Sequence, residues 1–534
     1  MKNIFKLTTV ASLAVSLMLG GCTSNFDEIN SDPDALETGA PTNMLGYALR
    51  ETMTRQAGFD ATEAWAGYIV KIQYMDNYNY LPTNNTYGNK FSNCYRRIVL
   101  LDDILALTEA NADELKNIRW ASRIFKEYLW LLNTDQFGDI PYTEANKVED
   151  GQMKPTYDSQ EIIYPAILEN LKAIADEMAA GLGSDNIGEG DFLFGGNIQK
   201  WQKFCNSLRM RAAMRIVNVA PDLAQSTIEE ICQNPTAYPL LETNEENAYF
   251  YWQGSSPYFE PYYNDYRTRD DYGMSNIFVN HLNSTKDPRI SAIMQPVEPE
   301  LQAGNVVFTG FENGALSAPS NIYTISRMGV MYREDPEGFT PLLKACENYF
   351  IKAEAALRGW NVGTTAEEAY EAAVRLSMEE HQDAVLTAKK TIADTFDALV
   401  KASTAVDDAL LNEYKTYTAD TYAADVDAYL AGPGKWDGTL GRIYMEEWVA
   451  LFKENCEAWS LYRRTGYPQE IQTSGEYPGK FCIFGTIHND VPFRMPYPDN
   501  EYQYNKENVE AAAAEIVDNT WGKQMWWDTR ANVY

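Results

Sequence analysis

Between Tyr249 and Gly273 the chain reads YFYWQGSSPYFEPYYNDYRTRDDYG, and ten of these 25 residues are aromatic. Rings mixed with short polar side chains suit one kind of chemistry well. The apolar C–H face of a sugar lies flat on an aromatic ring, while Asn, Asp, Arg or Gln at the rim hydrogen-bond its hydroxyls. Trp252, Tyr258, Tyr262, Tyr263 and Tyr266 supply rings here, and Asn264, Arg267, Arg269, Asp270 and Asp271 supply the rim. Core packing accounts for AYFYWQ, whose alternation suits a strand. It accounts poorly for SSPYFEPYYNDY, because Pro257 and Pro261 break any regular period and Ser, Asn and Asp stand between the rings. An earlier loop, YMDNYNYLPTNNTYGN, repeats the mixture with Tyr74, Tyr78, Tyr80 and Tyr87 beside Asn77, Asn79, Asn84 and Asn85. The ligand-binding candidates are therefore Trp252, Tyr258, Tyr262, Tyr263, Tyr266, Arg267, Asp270, Tyr78, Tyr80 and Asn84.

Catalytic chemistry has little to work with. The sequence contains no GxSxG elbow, Walker A loop, dinucleotide fingerprint, HExxH pair or EF-hand loop. Its only histidines are His281, His381 and His488, too few for much His-based acid–base work. Carboxylates are plentiful, but a pair such as Glu446-Glu447 points to different sides of a helix, and a helix surface explains it. The seven cysteines are scattered without a CxxC, so no zinc site is expected, and the thiols beyond Cys22 read mostly as buried and unpaired. No catalytic residue, metal or cofactor is expected.

The ends and the charge say where such a site would work. Lys2 and Lys6 precede a short apolar run from about Leu7 to Leu19, too short for a permanent span, which closes on Leu19-Gly20-Gly21-Cys22. That pattern predicts a leader over residues 1–21 and a lipidated Cys22 at the start of a single mature domain, 22–534. With 44 Lys and Arg against 76 Asp and Glu, the formal charge is −32, which repels nucleic acid and anionic headgroups.

Helices must position the loops. NADELKNIRWASRIFKEYLWLLN carries Ile118, Ala121, Phe125, Tyr128 and Leu132 at steps of three and four, with Asn111 and Glu114 as a capping box. The spacing recurs at Trp201, Cys205, Leu208, Ala212 and Ile216, and near 160–181, 341–359, 365–380 and 440–461. Short strands are expected near 248–252, 305–310 and 481–487. Long loops, 74–92, 253–275 and 466–506, are where function is expected to sit.

Taken together, several stretches resemble the SusD/RagB family of outer-membrane nutrient-binding lipoproteins. They are CTSNFDEINSDPDA at the mature start, DQFGDIPYTEA from Asp135, WQKFCNSLRMRAAMRI from Trp201 and DPRI from Asp287. ENYFIKAEAALRGW from Glu347, EEWVALFKENCEAWSLYRRTGYP from Glu446, RMPYPDNEYQYN from Arg494 and the WWD ending at Asp528 complete the series in order. The resemblance implies a mainly α fold of four tetratricopeptide-like helix pairs packed against an irregular, ligand-facing half. It also implies a lipid-anchored protein on the cell surface, above a SusC-like TonB-dependent barrel, that captures oligosaccharides or, in some members, peptides, and carries no catalytic residues. Ring positions vary within the family and do not transfer individually. The stretch from Asp383 to Leu430 fits the pattern least and reads as an insertion. Composition alone leaves glycan and peptide both open.

Overall fold

The computed structural model describes residues 40–58, 61–74, 84–147, 151–313, 315, 317–473, 491–514, 516 and 523–531. Cys22, Tyr78, Tyr80, Cys482, His488 and the strand expected near 481–487 lie outside them, and Asn84 enters only as the first residue of a helix. In chain order the principal helices are α1 (Pro41–Gln56), α2 (Asn84–Leu107), α3 (Lys116–Phe137), α4 (Gln160–Ala179), α5 (Ile198–Arg215), α6 (Pro221–Gln233) and α7 (Pro261–Tyr266). They continue with α8 (Ala345–Leu357), α9 (Ala366–Lys401), α10 (Asp408–Lys415), α11 (Ala419–Ala431), α12 (Leu440–Ala450) and α13 (Asn455–Thr465). Four consecutive pairs pack together: α2 with α3, α4 with α5, α8 with α9, and α12 with α13. The expected mainly α architecture of helix pairs is what the chain adopts.

The apolar periods explain why. On α3, Ile118, Ala121 and Phe125 are buried as the spacing requires, and Trp201, Cys205, Leu208 and Ala212 do the same on α5. Asn197 caps α5 by accepting a hydrogen bond from the Lys200 amide. Thr365 and Glu368 form a reciprocal capping box that starts α9, which then runs for 36 residues, about 54 Å at the usual helical rise. The box expected at Asn111 and Glu114 is absent: Glu109–Asn111 is a 3-10 turn, and α3 begins beyond it without a side-chain cap. The segment from Asp383 to Leu430 forms the outer half of α9 with α10 and most of α11, and closes a small second core around Ile392, Phe396 and Tyr414.

Among the described residues there are two two-stranded antiparallel sheets. β1 (Ile69–Lys71) pairs with β3 (Tyr272–Met274), and β2 (Ala248–Tyr251) pairs with β4 (Phe339–Leu343). β2 matches the strand expected at 248–252. Residues 305–310 form no strand, and β1, β3 and β4 lack enough residues to show a period. Cys94, Cys205 and Cys346 are buried, Cys232 and Cys456 half-buried, and all five are free thiols, as read from the sequence.

Candidate functional site

The β1–β3 pair sets the residues that lead into the early aromatic stretch, up to Tyr74, beside the end of the mid-chain one. Its register sets Lys71 against Tyr272, and the Ile72 amide extends it by donating to the Asp271 carbonyl at 2.7 Å. Beyond the pair, Gln73 donates to the Asp270 carbonyl at 2.9 Å, and the Arg269 guanidinium sits 5.2 Å from the centre of the Tyr74 ring. Tyr74 is 68% exposed, with a left-handed backbone at φ 53°. That conformation is unfavourable for a bulky residue and persists only where its surroundings hold it. The stem of the early loop and the end of the mid-chain loop thus form one surface.

The middle of the stretch is a one-and-a-half-turn helix, which the prolines start instead of breaking. Pro261 occupies the first turn of α7, and Glu260 caps it by accepting from the Tyr263 amide at 2.8 Å. The same carboxylate pairs with Lys453 at 3.0 Å, both side chains being almost fully buried. Burial pushes the Glu260 carboxyl above its ordinary range and the Lys453 amine below its own, and each partner offsets part of the other's shift. This buried pair fixes α7 to the helical body. Tyr263 is half-buried, 5.5 Å from Phe259, whereas the half-buried Tyr266 packs on the core and its hydroxyl donates to the Tyr272 carbonyl at 3.1 Å. Arg267 is exposed over Phe259 at 4.7 Å, and Arg333 covers one face of Tyr266 at 4.6 Å.

Several expected ligand contacts need correction. Trp252 is 5% exposed, and its indole N–H donates to the Thr340 hydroxyl at 2.9 Å across the β2–β4 sheet. Tyr262 is 2% exposed, and its hydroxyl donates to Glu63 and accepts from Asn455. Both rings are core, and what they face besides protein is a small cavity each, of about 30 Å³ at Trp252 and about 70 Å³ at Tyr262. Period two in β2 puts Trp252 on the side of Ala248 and Phe250, which was the available signal. Asp270 gives both carboxylate oxygens to Arg327, at 2.7 and 2.8 Å, so it positions that arginine instead of standing free at the rim. Tyr258, Tyr263, Tyr266 and Arg267 keep exposed surface. Tyr251, at 62% exposure, joins them. It has no signal in the sequence beyond its place opposite Trp252 on the strand.

Glu446 and Glu447 also differ from expectation, because both are buried. Glu446 accepts from Arg289 at 3.0 Å and from the Tyr429 hydroxyl. Burial pushes the Glu447 carboxyl up to about 8, against the pull of Arg464. The void beside Glu447 measures about 10 Å³, room for one water and no sugar. The helix they occupy is a core helix, so these acids serve packing and pairing. Among the described residues no group of His, Cys, Asp and Glu is placed to hold a metal ion, and no helix is long and apolar enough to cross a membrane.

The fold is one of helix pairs beneath a partly exposed aromatic surface. The chain belongs to the SusD-like family, whose model, described as starch-binding and associating with the outer membrane, matches residues 33–498. It is accordingly an outer-membrane-associated protein of a family that binds nutrients without catalysis. A SusD-like protein from Bacteroides thetaiotaomicron matches with a TM-score of 0.71 at 22% identity, covering 92% of this chain and 100% of that one. A SusD homologue from Bacteroides uniformis gives 0.70 at 23% identity over 91% and 99%. A chitin-binding SusD homologue from Flavobacterium johnsoniae gives 0.66 at 22% identity over 92% and 98%. At such identities the likeness establishes the fold. No curated protein sequence matches the chain.

Proposed function

We propose that this protein captures an oligosaccharide at the cell surface and passes it to a SusC-like TonB-dependent barrel. The observation that carries the proposal is the partly exposed surface at α7, where Tyr263 stands beside Phe259 and Arg267 lies over the Phe259 ring. Tyr74 and Arg269 adjoin through the β1–β3 pair. Partly exposed rings interspersed with guanidinium groups, on a buried ion-paired floor, suit a sugar face better than a peptide. A peptide site would offer a free strand edge and side-chain pockets. The chitin-binding relative supports a saccharide ligand. Tyr78, Tyr80 and Asn84, which follow Tyr74 in the sequence, belong to the same proposed site. Calorimetric titration of the purified protein with a panel of neutral and acidic oligosaccharides and a panel of random hexapeptides decides the class. Saccharide binding at micromolar to millimolar strength is expected, with the sugars recovered intact. Peptide binding alone would reverse the assignment.

The anchor is part of the proposal. Cys22 closes the leader of residues 1–21, and its lipidation would hold the mature domain at the membrane. Cys22→Ala is expected to move the protein from the membrane fraction to the soluble one. Fractionation that leaves the variant fully membrane-bound and surface-exposed would end the lipoprotein reading.

A further inference from the structure

Arg494 differs from most of the buried arginines. Arg209, Arg211, Arg215, Arg289 and Arg464 each meet a carboxylate, and Arg463 spends its nitrogens on two carbonyls and the Ser460 hydroxyl. Arg494 is 3% exposed, and its Nη2 has no acceptor among the described residues. Its position is nonetheless fixed. Nε donates to the Met495 carbonyl at 3.2 Å, and the guanidinium lies 3.9 Å from the centre of the Tyr497 ring. The side chain lines a cavity of about 150 Å³, with Asp139, Lys523 and Trp526 also in the wall.

The start of α4 forms another part of that wall, through Ser159, Gln160 and Glu161. It is incompletely capped. Ser159 is a good residue type for the N-cap, yet its side chain makes no capping bond. The Gln160 amide donates to Asp139 at 3.3 Å, and the Ile162 and Ile163 amides donate to the Ser159 carbonyl at 2.9 and 3.1 Å. The Glu161 amide is left without an acceptor among the described residues. Gln160 holds this wall in place. Its side chain donates to the Thr134 carbonyl at 2.9 Å and accepts from the Trp526 amide at 2.9 Å.

Two kinds of unmet donor, a guanidinium nitrogen and a first-turn amide of a 20-residue helix, line one cavity and call for an oxyanion. The arginine fork matches a carboxylate. The other charges decide how much negative charge fits. Lys523 is a second cation, but Asp139 and Glu161 are carboxylates in the same wall, so a doubly charged sulfate or phosphate is disfavoured. The volume holds about six non-hydrogen atoms, enough for a small organic acid and too few for a sugar unit. Met525 and Trp526 offer its carbon frame an apolar side.

We propose that the cavity at the head of α4 binds a small monocarboxylic acid, whose carboxylate is received by Arg494 and the Glu161 amide. Asp139 and Glu161 supply acceptors for an amino or hydroxyl group on the same acid. The site shares no residue with the ring platform at α7, so it stands or falls apart from the glycan reading.

The test titrates the mature chain calorimetrically with acetate, lactate, alanine and sulfate, with thermal melting alongside. Wild type should bind at least one of the three monocarboxylates roughly tenfold or more tighter than sulfate. A gain from acetate to lactate or alanine shows whether the hydroxyl or the amino group is used. Arg494→Gln should weaken that binding by roughly tenfold or more, and Arg494→Lys should recover only part of it, having charge without the fork. Because Arg494 also packs on Tyr497, Ala512→Leu is the second variant. Ala512 lines the cavity from the helix Lys506–Ala512, and the added bulk should abolish binding while the melting temperature holds or rises. Monocarboxylate binding unchanged in Ala512→Leu, or in a folded Arg494→Gln, overturns the site. So does sulfate bound as tightly as the acids, or no binding of any of the three acids.

Discussion

Arg289→Ala should cost about 3–5 kcal/mol of folding stability, the range for breaking a buried ion pair by removing one partner. Arg289 is fully buried within the DPRI segment and uses all three guanidinium nitrogens. Its Nε and Nη2 donate to the two oxygens of Asp287 at 2.9 and 2.6 Å, Nη2 also reaches Glu446 at 3.0 Å, and Nη1 donates to Ser377 at 2.8 Å. One side chain thereby ties its own loop to α9 and α12. Alanine would leave Asp287 and Glu446 buried without their cation, and that uncompensated charge carries most of the cost. The comparison is Arg375, whose pair with Asp427 is 51% and 67% exposed. Arg375→Ala should change stability by less than about 1 kcal/mol, because solvent already screens that pair. Urea denaturation of the two variants measures the contrast. Equal midpoints for Arg289→Ala and wild type would mean that solvent reaches the cluster and that it holds nothing together.

The same cluster explains which parts of the fold could be read from the sequence. Long helices announce themselves through repetition: α3 and α5 each bury four or more residues at steps of three and four, so their existence follows from spacing alone. Their ends follow less well. Asn111 and Glu114 have the right types and spacing for a cap, but the 3-10 turn through Glu109–Asn111 uses that position, and the helix starts five residues on. Glu446 looks like a solvated surface in any window of sequence, because the arginine that pairs with it comes from far along the chain. Arg289 lies 157 residues before Glu446. Charge pairing at that range leaves no local trace.

The candidate site shows the same division. Interleaved prolines and polar residues did mark 253–271 as a place where rings reach the surface, and pairing through β1 and β3 put the early loop's stem beside it. Which rings reach the surface was set by two things the composition does not carry. One is the side of β2 that faces β4, which claims Trp252. The other is the buried Glu260–Lys453 pair, which turns α7 so that Tyr262 faces inward.

That division sets the second large effect, in which rings of one short stretch should separate cleanly by what their loss does. Trp252→Ala and Tyr262→Ala each remove a buried ring and its hydrogen bond, and should cost about 3–5 kcal/mol of stability. What remains folded should bind as wild type does. Tyr74→Ala and Tyr263→Ala remove rings whose exposed faces are the proposed sugar contacts. Each should weaken glycan binding by about 0.5–1.5 kcal/mol, some two- to tenfold, with the melting temperature nearly unchanged. The double variant Tyr74→Ala/Tyr263→Ala should lose about the sum, up to roughly a hundredfold, because among the described residues no ring contact or hydrogen bond links the two side chains directly. Since a shallow stacking site binds weakly at the start, that loss would take binding below what calorimetry detects. Melting and titration of all five variants against one bound saccharide give the answer. If Tyr263→Ala melts as low as Trp252→Ala, the outer side of α7 is structural. If the double variant melts normally and binds normally, the platform lies elsewhere on the surface, and the rings of α7 are free to contact the barrel instead.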